Sequence, residues 1–171
     1  MKKAWMVTTL AVFLAWAARA DDSAIALSNP PPVSRDYTHR FGAGLIVGEP
    51  TGPSLKYWFN EITAIDGAFG ASFNHESDHD ASFYMHSDIL WHNFDLIPVS
   101  RGRLPVYLGV GGLLRIRDNA SNEAGIRIPV RLSYMFDSAP IDVFVEIGPA
   151  LDLSPSVRWE VTGGGGVRFW F

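Results

Sequence analysis

The sequence predicts an all-β protein: an up-and-down meander of eight antiparallel strands closed into a transmembrane β-barrel. Three observations carry this expectation. After residue 40, apolar and polar residues alternate with a period of two in segments separated by turn-rich gaps, and no segment keeps a helical period. Charged residues in these segments hold one parity, opposite to the large apolar side chains. The chain also stops on an aromatic residue, Phe171, inside such a segment.

The residues before the strands have a different character. Residues 1–20 open on Lys2 and Lys3, run through mainly apolar residues from Ala4 to Ala18, and close on Ala18 and Ala20 around Arg19. This is the pattern of a secretory signal peptide cleaved before Asp21, because the run is too short to span a bilayer as a helix. Residues 21–40, with Pro30, Pro31 and Pro32, read as an irregular periplasmic lead-in, and 41–171 as the barrel. The 171 residues include no cysteine, which excludes disulfides, thiolate metal sites and lipid attachment through an N-terminal Cys. Without Lys2, Lys3 and Arg19, eleven basic residues face eighteen acidic ones, a net charge of −7 that argues against a nucleic-acid partner.

The strands are expected at 41–48, 53–60, 63–73, 82–92, 104–117, 125–136, 140–153 and 157–171. The first is rich in glycine (Gly42, Gly44, Gly48). The second turns Lys56 inward between outward Tyr57 and its neighbours, and the third turns Asp66 inward. The fourth carries His86 and Asp88 on the face opposite Phe83 and Trp91. In the fifth, Arg115 and Arg117 oppose Val106, Leu108, Val110, Leu114 and Ile116. In the sixth, Arg127 and Arg131 oppose Ile126, Ile128, Val130, Leu132, Tyr134 and Phe136. In the seventh, Asp142, Glu146 and Asp152 oppose Val143, Val145, Ile147, Leu151 and Leu153. The eighth sets Arg158, Glu160 and Arg168 against Trp159, Val161, Val167, Phe169 and Phe171. Pro129 and Pro149 fall inside two of these strands, where neither can donate to a ladder, so bulges are expected there.

Such a sheet would aggregate in water, since its wide apolar face would be exposed. With lipid outside, closure satisfies every backbone group and the charges face inward, the reverse of a soluble lipocalin-type barrel. No apolar run after residue 20 approaches the length of a spanning helix, so any crossing is made by strands. With both termini in the periplasm, outward Phe41, Tyr57, Phe59, Trp91, Tyr134, Phe136, Phe169 and Phe171 gather at the periplasmic end, and Phe73, Phe83 and Trp159 at the outer end. Two aromatic girdles suit the two interfaces.

The interior charges form the leading candidate constellation. Short turns set Arg131 opposite Glu146, Asp152 opposite Arg158, Asp142 opposite Arg168, Lys56 opposite Asp66, and Asp66 opposite Asp88. Arg115 or Arg127 would supply the countercharge for the facing carboxylates. A barrel of eight strands holds little beyond its own side chains, and buried charges must be paired. The network reads as the polar plug of a small barrel; a gated polar path or proton site is the functional alternative.

Other motifs carry less. His75-Glu76-Ser77-Asp78-His79-Asp80 is dense in metal-binding types but matches no ligand spacing. The acidic outer loops (Glu49, Glu76, Asp78, Asp80, Asp118, Glu123) are candidate sites for divalent cations at the cell surface. His75 and Ser77 share a face, as a hydrolytic pair would, but Asp88 on the next strand faces the lumen and cannot orient the His from the lipid side. Gly163–Gly166 lacks the Lys-Ser/Thr of a phosphate loop and reads as one side of a glycine seam with the first strand, making room for inward Trp58 and Trp170. No pattern calls for a cofactor, and no catalytic residue or metal ligand is assigned.

Taken with the export signal and the terminal Phe, the segment from Phe41 to Phe171 resembles the small eight-stranded bacterial outer-membrane β-barrels of the OmpX and OmpA-transmembrane type. Its second strand, Gly52 to Trp58, is also similar to small barrels with a G-P-x-L-K-Y-W pattern. The resemblance implies an outer-membrane location, a lipid bilayer and lipopolysaccharide as surroundings, and recognition of the last strand, with Phe169 and Phe171, by the barrel-assembly machinery. It implies no activity.

Overall fold

A computed structural model describes residues 40–72, 82–117 and 121–171. The strands are β1 (Phe41–Gly48), β2 (Gly52–Trp58), β3 (Thr63–Ser72), β4 (Ser82–Asn93), β5 (Val106–Arg117), β6 (Glu123–Arg127), β7 (Val130–Met135), β8 (Ile141–Ser154) and β9 (Arg158–Trp170). Each pairs antiparallel with its neighbours; β4 pairs β5, β6 and β7 together bridge β5 to β8, and β9 returns to β1. Since β6 and β7 occupy one position in succession, the ring has eight strands and no free edge, which removes the unpaired backbone of an open sheet. The predicted signal peptide, lead-in and the strand end at Phe73 lie outside the described residues.

The sixth predicted strand is divided at Ile128-Pro129, and the expected bulges are absent there. Arg127 pairs with Ala150 and Val130 with Ile147, so the register against β8 runs through the gap unshifted. Proline removes ladder donors without displacing the chain, and its carbonyl still accepts from Gly109 N at 2.9 Å. Space for its ring comes from glycine on both sides: a Cβ at Gly109 would meet Pro129 Cγ at 3.1 Å, and one at Gly148 would meet Pro129 Cα at 2.8 Å. Pro149 stays within β8 and accepts from Ile128 N at 3.0 Å. The register shift of this ladder occurs instead between Ala124 and Gly125.

Alternation decides what faces where. Along β4, Tyr84, His86, Asp88, Leu90 and His92 are buried, while Phe83, Met85, Ser87, Ile89 and Trp91 are exposed. The same inversion holds around the ring: Arg115, Arg127, Arg131 and Arg168 are among the largest fully buried side chains, whereas Val145, Ile147, Trp159 and Val161 are each at least 57% exposed. Phe41, Tyr57, Phe59, Trp91, Phe136, Phe169 and Phe171 are exposed, with ring pairs at Phe41–Phe171 (6.3 Å), Tyr57–Phe59 (5.7 Å) and Tyr134–Phe136 (4.8 Å) at the end of the ring that carries the C-terminus.

The seam closes through glycine. Gly44 pairs with Arg168, and Ile46, Val47 and Gly48 pair with Gly166, Gly165 and Gly164. A Cβ on Gly44 would lie 1.9 Å from Val167 O, so the two backbones approach more closely than any other residue allows. Gly42 makes room for Trp170, whose ring a Cβ would meet at 3.0 Å, and Gly166 for Phe144, at 2.6 Å.

Candidate functional site

Three groups of buried side chains lie inside the ring. At the end of the ring holding the C-terminus, Lys56 Nζ sits in an aromatic box: 4.1 Å from the Tyr107 ring centroid, 4.7 Å from Trp58 and 6.0 Å from Trp170. It donates to His92 Nε2 at 2.7 Å, and His92 Nδ1 lies 2.9 Å from the carbonyl of Ile62, which fixes Nδ1 as the protonated nitrogen and Nε2 as the acceptor. His92 and Tyr107, with Phe94 stacked beyond, were not legible as a site from sequence, because an inward aromatic in a strand looks like ordinary packing.

The middle group is ionic. Glu146 on β8 accepts from Arg127 Nη2 at 2.8 Å through one oxygen and from Arg131 through the other. Arg131 reaches on to Asp66 Oδ2, which also takes Arg168 Nη2 at 3.3 Å. Phe144 lies under both guanidiniums, 3.9 Å from Arg168 Cζ and 5.1 Å from Arg131 Cζ. Asp88 lies 3.5 Å from Arg127 Nε and 3.7 Å from His86 Nε2. The links from Asp66 to Arg131 and Arg168 and from Asp88 to Arg127 cross the lumen between strands that are not neighbours in the ring, which ladder reasoning cannot see.

At the opposite end, Arg115 donates to Glu123 at 2.5 Å and to Glu160 at 3.0 Å, and Arg117 and Arg158 add contacts to Glu123. Arg158 also reaches Asp152 at 3.4 Å.

All five predicted cross-strand pairs occur in the ladders: Lys56 with Asp66, Asp66 with Asp88, Arg131 with Glu146, Asp142 with Arg168, and Asp152 with Arg158. Of the four pairs of opposite sign, two do not translate into ion pairs. Lys56 turns to His92 rather than Asp66, and Arg168 donates to Ser54 and Asp66 while Asp142 accepts from Ser133 at 3.2 Å. Long side chains lean along the barrel axis and find partners one level away. The countercharge for Asp88 is Arg127, and Arg115 serves Glu123 and Glu160.

Glu123 is a correction to the acidic outer-loop expectation: it is the first residue of β6, 7% exposed and bound to arginines, so it offers no surface charge. Glu49 accepts from Ser72 Oγ at 2.5 Å. Glu76, Asp78, Asp80, Asp118, His75 and Ser77 lie outside the described residues.

Among the described residues the buried charges are Lys56, Arg115, Arg127, Arg131 and Arg168 against Asp66, Asp88, Glu123, Asp142, Glu146 and Asp152, five cations to six carboxylates. The arrangement can lock strands together, hold a cation or pass a proton.

The ring and its inverted faces define a fold, a small eight-stranded antiparallel barrel with an apolar outer face and charged side chains inside. Among solved structures, the chain is similar to the N-terminal β-barrel domain of Pseudomonas aeruginosa OprF, with a TM-score of 0.55 and 16% identity over 78% of this chain and 96% of that one. Ail, the attachment invasion locus protein of Yersinia pestis, matches at 15% identity and a TM-score of 0.33, over 78% of this chain and 95% of that one. No protein-family model and no curated protein sequence matches.

Proposed function

We propose that the protein is an integral outer-membrane barrel with a side-chain-filled lumen, serving the envelope as a structural or surface-contact element. One observation carries the reading: the exposed face of the ring is apolar while arginines and carboxylates are buried inside it. An apolar belt of this extent is stable against lipid and costly against water. The C-terminal end of the ring, with its aromatic girdle, faces the periplasm, and the last strand with Phe169 and Phe171 is the segment the assembly machinery receives. The filled lumen supports a closed barrel over a pore.

The test combines three measurements on the protein from an expressing strain. It should fractionate with outer membranes, migrate faster unheated than boiled on gels, and pass no resolvable current in planar bilayers. Recovery from the soluble periplasm would overturn the membrane reading; steady single-channel currents would replace the plug with a pore. Altered lipid A masses in an expressing strain against a deletion strain would replace it with an enzyme.

A further inference from the structure

Asp66, His86 and Asp88 each bring one ligand atom to within 4.8 Å of the other two, and all three are buried. The strands make this meeting. Asp66 and Asp88 are direct partners in the β3–β4 ladder, and His86 precedes Asp88 by two residues on the same lumenal face. Carboxylates near arginines would mean little alone; the state of the donors is what points to a ligand. His86 is 6% exposed, and neither ring nitrogen has a hydrogen-bond partner. Asp88 is fully buried with neither oxygen in a hydrogen bond. Asp66 divides its carboxylate, Oδ2 taking Arg131 and Arg168 while Oδ1 has no partner. Buried polar atoms in this condition are costly; other lumenal side chains also hold some, Arg127 Nε at 3.5 Å from Asp88 Oδ1 among them, but those of Asp66, His86 and Asp88 are the ones that lie together as metal-ligand types.

We propose that Asp66, His86 and Asp88 bind one divalent transition-metal ion of the zinc class inside the barrel. One imidazole nitrogen with two carboxylate oxygens suits zinc, whereas calcium and magnesium need more oxygen ligands. Zinc bonds of about 2.0–2.2 Å set tetrahedral donors about 3.5 Å apart, so side-chain rotation closes the three by about 1 Å. Arg127 faces Asp88 Oδ1, yet its Nη2 is held by Glu146 at 2.8 Å, which leaves Asp88 Oδ2 and its neighbour His86 Nε2 to the ion. The ion enters as the strands close, because side chains fill the lumen at both ends.

The experiment is to denature the full chain with EDTA, refold it into detergent micelles with ZnCl2, desalt it, and measure bound metal by mass spectrometry. About one zinc per chain is expected. His86→Gln and Asp88→Asn should each reduce retention about tenfold or more. The loop around His75 and His79 is the rival site, so His75→Gln with His79→Gln should leave retention unchanged. Wild-type protein without zinc, or retention lost only in the loop variant, overturns the proposal. Unheated gel mobility reports whether each variant has folded. If both lumenal variants fail to fold, X-ray absorption on the wild type decides: one imidazole with oxygens is expected, and two imidazoles would assign the metal to the loop and overturn the proposal. Refolding and metal retention do not depend on where the cell places the protein, so this test and that of the membrane reading fail separately.

Discussion

Glu146 stands directly across the β7–β8 ladder from Arg131 and holds it through one carboxylate oxygen, while its other oxygen takes Arg127. One residue thus ties β8 to both halves of the broken sixth strand, across the gap that Pro129 leaves.

Glu146→Ala removes the carboxylate and leaves two buried guanidiniums facing each other. Breaking a buried pair from one side costs about 3–5 kcal/mol, since the remaining charge stays desolvated. The unheated, fast-migrating form should convert to the slow form at a clearly lower temperature than in the wild type. An unchanged conversion temperature would show that Arg127 and Arg131 do not depend on Glu146. Glu146→Gln should fall between, keeping acceptor capacity without the charge.

Two arginines at the same end of the lumen, one buried and one half-exposed, predict different sizes of effect. Arg115 is 1% exposed and serves Glu123 and Glu160, whereas the Arg158 side chain is 39% exposed. Arg158→Ala should cost less than Arg115→Ala, because its guanidinium is largely solvated, although the change also takes the arginine contact from buried Asp152. Arg115→Ala should cost about 3 kcal/mol or more, because two carboxylates near the lumen end lose their shared cation. Urea unfolding in detergent gives both numbers, and equal losses would mean that the Arg115 end of the lumen is wet.

The fold was largely legible because a barrel writes itself into parity: each charge had to face in, so each strand announced its faces and short turns fixed its partners. Lys56, Asp66 and Asp88 could be set in one row from turn lengths alone. Which atoms then touch was not legible. Arg131 to Asp66 and Arg168 to Asp66 span the lumen between strands that never pair, and only the curvature of the closed ring brings them together. Pro129 misled for a related reason: its tolerance depends on Gly109 and Gly148, which flank it from two other strands. Glu123 was misplaced because a carboxylate beside a turn looks like a loop charge until Arg115 is seen beneath it.

Two glycines separate a required close approach from mere absence of a side chain. Gly44→Val would drive a Cβ to 1.9 Å from Val167 O, while a Cβ at Gly112 would find its nearest neighbour, Gly125 O, at 3.8 Å. The first substitution should prevent the β1–β9 seam from closing and abolish the fast-migrating form on refolding. Gly112→Ala should stay within about 0.5 kcal/mol of the wild type. If Gly44→Val refolds with full yield, the seam does not need the close approach.

Val145 tests what lies outside the ring. It projects outward from β8, 57% exposed, between lumen-facing Phe144 and Glu146. In a water-soluble barrel, Val145→Arg would place a charge in solvent and change stability by no more than about 0.5 kcal/mol. Against lipid the same guanidinium must leave water or drag it into the bilayer, at a cost of about 2–4 kcal/mol near the midplane. Reversible unfolding from lipid vesicles should therefore show a loss of that size for Val145→Arg. Phe171→Arg lies at the end of the last strand, within the aromatic girdle, where the penalty falls to about 0–1 kcal/mol. A depth-dependent difference between the two positions requires a membrane around the ring; equal, small effects would place the apolar face against protein or solvent instead.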